Sequence, residues 1–94
     1  MKIIELDLTG CSCLYDIHER IKNAFDFDNE YGHNWSAFWD MLWSECDADK
    51  IIIKGENTLP SELDETIAKL HEILERNKIE RATFDWPFDY EIIC

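Results

Sequence analysis

Apolar positions along the chain change period several times, and each change marks an element. Ile4, Leu6 and Leu8 alternate with polar residues over positions 2–8, which predicts a strand ended by Thr9-Gly10. From Ser12, a residue suited to capping a helix, Leu14, Ile17, Ile21, Ala24 and Phe25 recur at helical spacing until Asp26. Tyr31-Gly32-His33-Asn34 reads as a turn in which the glycine is free to take a positive φ and Asn34 accepts from the first amides of a second helix reaching about Glu45. Lys50-Ile51-Ile52-Ile53-Lys54 is an unbroken β-branched run, the mark of a strand covered on both faces, and Gly55 closes it. Pro60-Ser61 start a third helix with Leu63, Ile67, Leu70 and Leu74 on its apolar stripe, acids in its first turn and Arg76 and Lys78 toward its end. Ala82-Thr83-Phe84-Asp85-Trp86 reads as a strand stopped by Pro87, and residues 87–94 as a tail or an added strand.

The order strand, helix, helix, strand, helix, strand predicts an α/β fold, a small three-stranded parallel sheet packed by helices, in a single domain over residues 1–94. The second helix stands out. Trp35, Phe38 and Leu42 form one stripe for the core, and the opposite side repeats the spacing with Ser36, Trp39, Asp40 and Trp43. Two large aromatics around one carboxylate are not the usual composition of a solvated face. A helix buried all round is the alternative. Asp40 speaks against it, because no Lys or Arg lies between Lys22 and Lys50 to pair with a buried carboxylate locally.

Charge sharpens the picture. The chain has 94 residues and a formal net charge of −12, with Asp26, Asp28, Glu30, Asp40, Glu45, Asp47 and Asp49 in a stretch free of cations. Such a field repels nucleic acid and speeds encounter with a basic partner. The N-terminal residues meet charge after every one or two apolar ones, which predicts a cytoplasmic protein without a membrane span, so that Cys11, Cys13, Cys46 and Cys94 read as thiols. Cys11 and Cys13 with His18 and His33 match no metal-ligand spacing, and no glycine-rich phosphate loop or nucleophile constellation is present. These residues predict no cofactor, no metal, no small-molecule substrate and no catalysis.

Tyr31-Gly32-His33-Asn34-Trp35-Ser36-Ala37-Phe38-Trp39-Asp40-Met41-Leu42 resembles the barstar family of ribonuclease inhibitors, and the order of strands and helices over residues 1 to 86 agrees, which makes the octet from Pro87 look like an addition. The resemblance implies a protein that plugs the active site of a basic, barnase-like ribonuclease with its second helix and the loop before it, Asp40 standing in for a substrate phosphate. It implies partner contacts from Tyr31, Gly32, Asn34, Trp39 and Asp40, to which the residues of the helix face add Ser36 and Trp43. Glu80 matches a second family carboxylate by position, whereas Arg76 stands where another acid is expected. The rival expectation is a module of the same fold that inhibits nothing and binds another basic protein or its own copy.

Overall fold

A computed structural model describes residues 2–27, 31–44 and 48–93. Asp28, Glu30, Glu45, Cys46, Asp47 and Cys94 lie outside the described residues. The elements are β1 (Ile3–Asp7), α1 (Leu14–Phe25), α2 (Trp35–Ser44), β2 (Lys50–Lys54), α3 (Asp64–Ala82) and β3 (Asp89–Ile93), with short 3-10 turns at Glu56–Thr58 and Ser61–Leu63. The sheet is parallel throughout in the order β1-β2-β3, and its register sets Ile4 and Tyr90 either side of Ile51, and Leu6 and Ile92 either side of Ile53.

One face of this sheet holds the core. Ile4, Leu6, Ile51 and Ile53 turn inward to meet Ile17 and Ile21 of α1, Phe38 and Leu42 of α2, and Leu70 and Leu74 of α3. Each fully buried side chain of this kind contributes about 1.5 to 3 kcal/mol, which is why three amphipathic stripes suffice to hold three short strands. The other face is open, contrary to the expectation of a doubly covered β2. Its residues are half-buried or exposed, and two ion pairs cross it, Lys54 with Glu5 at 3.3 Å and Lys50 with Glu91 at 3.2 Å. A β-branched run marks a central strand, and a single layer of helices buries Ile51 and Ile53 while Ile52 on the open face is half-buried.

The third strand is not where the pattern puts it. α3 runs on through Ala82, and Thr83-Phe84-Asp85 turn back on its end, with the amides of Phe84 and Trp86 both donating to the Arg81 carbonyl at 3.0 Å and Asp85 in the left-handed region at φ 55°. The alternation of Ala82–Trp86 is real, but its two rings serve side-chain packing rather than a strand. β3 is built from the tail instead, pairing Lys50 with Asp89 through Lys54 with Ile93. Residues 87–93 therefore complete the sheet rather than decorate it.

Arg81 explains why the chain turns there. It is fully buried, with its guanidinium 4.0 Å from the Trp86 ring centroid and 4.7 Å from that of Phe88, and it donates to the carbonyls of Leu42 and Ala48. One side chain thus ties the end of α2 and the approach to β2 to the segment that leads into β3. At the far end of β2, Gly55 has φ 82°, and a Cβ there would stand 2.6 Å from the Thr9 backbone nitrogen, so only glycine fits.

Candidate functional site

The loop before α2 is fixed from both sides. Asn34 caps the helix as expected, its Oδ1 accepting from the Ala37 amide at 2.8 Å while its Nδ2 donates to the Gly32 carbonyl at 3.0 Å. His33, not Gly32, takes the left-handed conformation, at φ 51°. Its ring is held for this: Nδ1 faces the Tyr31 carbonyl at 3.0 Å, Nε2 faces the Glu19 carboxylate at 2.7 Å, and Tyr15 stacks on it at 5.0 Å. The hydrogen bond to His33 keeps the Glu19 carboxyl below its ordinary range. Gly32 serves close approach instead, since a Cβ would lie 3.0 Å from Asn34 Nδ2.

Beneath the loop, Tyr31 is buried, and its hydroxyl shares a 2.7 Å hydrogen bond with Nδ1 of His18, itself fully buried against Trp35 with ring centroids 4.5 Å apart. This pair sets the height at which α2 begins. Burial pushes the His18 pKa down to about 4 and holds the Tyr31 phenol well above its usual range. The unfolded chain then binds the His18 proton near pH 6.5 and the folded one only near 4, so stability from this group is intact above 6.5 and lost as the pH falls between the two. Urea titrations at about pH 7.5 and 4.5 should show His18→Gln losing roughly 2 kcal/mol less than the wild type over that interval.

The outward face of α2 carries the predicted row. Ser36 and Asp40 are exposed, and Trp39 and Trp43 are half-buried with their rings 6.1 Å apart and inclined at 72°. Asp40 forms no ion pair among the described residues. The aromatic row continues beyond the helix: Trp43 meets Trp86 at 5.9 Å and Phe84 at 6.3 Å, and Phe84 is 73 % exposed. Sequence reading placed Phe84 and Trp86 in a strand and so missed this continuation.

Beside Asp40 lies a groove of about 340 Å³ between α2 and α3. Trp35, Ser36, Trp39 and Asp40 form one wall and Lys69, Ile73 and Arg76 the other, with the Arg76 guanidinium 5.5 Å from the Trp39 ring centroid. Of the residues singled out in the sequence, Ser36, Trp39, Asp40 and Trp43 therefore share one face, with Gly32 and Asn34 at its head. Tyr31 lies under that face, with 4 % of its surface exposed, and Glu80 is exposed on α3 but does not line the groove. Lys69 and Ile73 carry no sequence signal, because only the packing of two helices brings them opposite Trp39.

Among the described residues no group of three or more His, Cys, Asp or Glu is placed to hold a metal, Cys11 and Cys13 are free thiols, and no helix is long and apolar enough to cross a membrane.

Three helices on one face of a three-stranded parallel sheet, with the second helix presenting Asp40 beside Trp39 and Trp43, define a small α/β protein. The chain belongs to the barstar family: that family's model, described as Barstar (barnase inhibitor), matches residues 1–92 and so takes in nearly all of β3. No curated protein matches the chain.

Proposed function

We propose that this protein inhibits a basic, barnase-like ribonuclease in the cytoplasm by laying the outward face of α2 and the loop before it over the enzyme's active site. The observation that carries the reading is Asp40, exposed on a capped helix and without an ion pair among the described residues, in a row with two indoles. A ribonuclease gathers Arg, Lys and His around the phosphate it cleaves. A carboxylate held on a rigid helix satisfies those donors at little entropic cost, while Trp39 and Trp43 exclude water around it. Ser36, Gly32 and Asn34 supply the rim, Phe84 lengthens the apolar part, and Tyr31 acts from below by fixing the loop. Glu80 lies outside the groove and would meet only the periphery of the partner. The protein itself performs no reaction in this reading, and membership of a family described as barnase inhibitors supports it.

The exposed ring of Phe84, in line with the tryptophans, favours a second reading, a module that binds its own copy through this ridge. The two separate on salt. With a net charge of −12 the inhibitor should bind a purified basic ribonuclease at one to one, with an on-rate that falls at least about tenfold between roughly 0.02 and 0.5 M salt. Stopped-flow mixing reads the rate. Sedimentation at the same two salt concentrations should show a monomer in both. A dimer unaffected by salt, with no loss of ribonuclease turnover, would leave the self-association reading standing.

A further inference from the structure

The α2–α3 groove is not uniformly negative. The chain has 21 acids for 9 Lys and Arg, so a surface cation should find a carboxylate easily. The lysines of β2 and α3 all do: Lys50 pairs with Glu91, Lys54 with Glu5, Lys69 with Glu72 and Lys78 with Asp89. Arg76 does not. Among the described residues it makes no ion pair, and its guanidinium lies against the open face of Trp39, 5.5 Å from the centroid. A cation over an indole face is attracted without using its N–H groups as hydrogen-bond donors, so these remain available to a partner. Lys69, on the same wall of the groove, is tied to Glu72 only at 3.7 Å and keeps nearly half of its side chain exposed.

Asp40 and two cations therefore face one cavity from opposite walls. A partner whose contact surface is cationic throughout would gain from Asp40 and be repelled by Arg76 and Lys69. We infer that the ribonuclease bound here carries a carboxylate side chain at the rim of its phosphate site, and that this carboxylate enters the α2–α3 groove against Trp39 to meet Arg76 and Lys69 while the enzyme's cations take Asp40. Arg76 is thus a specificity-determining residue, selecting among basic ribonucleases by the sign of the charge beside the active site. A guanidinium without an ion pair can offer a carboxylate two parallel N–H groups. This inference rests on the inhibitor reading and names the surface of its partner.

Barnase is the probe. Inhibition constants are measured for the wild type, Arg76→Glu, Arg76→Met and Asp40→Ala against barnase, and against barnase variants in which each Lys or Arg at the active-site rim is changed singly to Glu. Arg76→Met keeps cover over Trp39 without the charge and so separates packing from electrostatics. Arg76→Glu is expected to inhibit unmodified barnase at least about tenfold more strongly than the wild type, with a smaller gain for Arg76→Met, both shrinking as salt rises. One rim reversal should make barnase about tenfold more sensitive to the wild type and not to Arg76→Glu, the crossed pattern of a direct charge contact. Arg76 variants within about twofold of the wild type on every probe, with Asp40→Ala still weakened, would overturn the inference and leave the inhibitor reading intact. If Asp40→Ala is also without effect, the inhibitor reading fails and takes the inference with it. Arg76 is exposed, and melting curves of its variants coincident with the wild type show that folding is not the cause.

Discussion

Asp40→Ala should weaken inhibition of the target ribonuclease by about 30- to 5,000-fold, the equivalent of about 2 to 5 kcal/mol, a range that rests partly on measurements of the barnase–barstar pair itself. The loss exceeds that of an ordinary surface acid because the enzyme's phosphate-binding cations would be left covered and unpaired, with the indoles of Trp39 and Trp43 still excluding the water that could rescue them. Asp40→Asn keeps the shape and should lose nearly as much, since the charge carries the contact. Glu62, exposed in the 3-10 turn that precedes α3, contributes to the long-range field only, and Glu62→Ala should leave the constant within about threefold. Titration of ribonuclease turnover with each variant decides the matter. Equal constants for Asp40→Ala and Glu62→Ala would remove α2 from the interface.

The largest effect on stability should come from a residue that touches no partner. Arg81→Ala empties the space between Trp86 and Phe88 and leaves the carbonyls of Leu42 and Ala48 without their donor, at about 1 to 3 kcal/mol for each stranded group in addition to the cavity. A total of about 3 to 5 kcal/mol is a large share of the stability of a domain this size, and the melting temperature should fall by at least about 12 °C. Arg81→Lys should recover less than half of it, because an ammonium offers neither the flat face for the rings nor the fork for two carbonyls. Thermal unfolding followed by circular dichroism reads both variants. A fall of less than about 3 °C for Arg81→Ala would mean that the stacked rings hold the turn without it. The Trp43 ring lies 5.9 Å from the same guanidinium, so the variant should also loosen the row beside Asp40.

What the sequence makes legible is what neighbouring residues decide among themselves. The 3.6-residue spacing of Phe38 and Leu42 marks the buried side of α2, the opposite spacing of Ser36, Trp39 and Asp40 marks the outward side, and Asn34 marks the start, all within one stretch. The parallel sheet likewise follows from the order of elements. The misses involve partners distant in the chain. Arg81, on a helix rich in charge, looks like one more solvated residue, and nothing local says that Trp86 and Phe88 will fold back over it. The same three residues turn the apparent strand at Ala82–Trp86 into a helix end and a bend. Ile51-Ile52-Ile53 is as apolar as a strand between two layers, yet only one face is covered, and Ile52 stays half-buried on the other among the side chains of Lys50, Lys54, Glu5 and Glu91. Tyr31 belongs to the motif by position, but only the buried His18 shows that its hydroxyl points inward. Arg76 and Lys69 reach Trp39 and Asp40 because two helices separated by a strand lie side by side.

β3 is formed by the last few described residues, and it shields one whole edge of Ile51–Ile53. A chain cut short at Pro87 would leave that greasy central ribbon with a bare row of amides and carbonyls turned to the solvent, ready to zip onto any passing molecule of its own kind. β3 puts in its place an edge strand that carries Asp89 and Glu91, charges that disfavour pairing with a second copy, and a purification handle fused there must leave it free to dock.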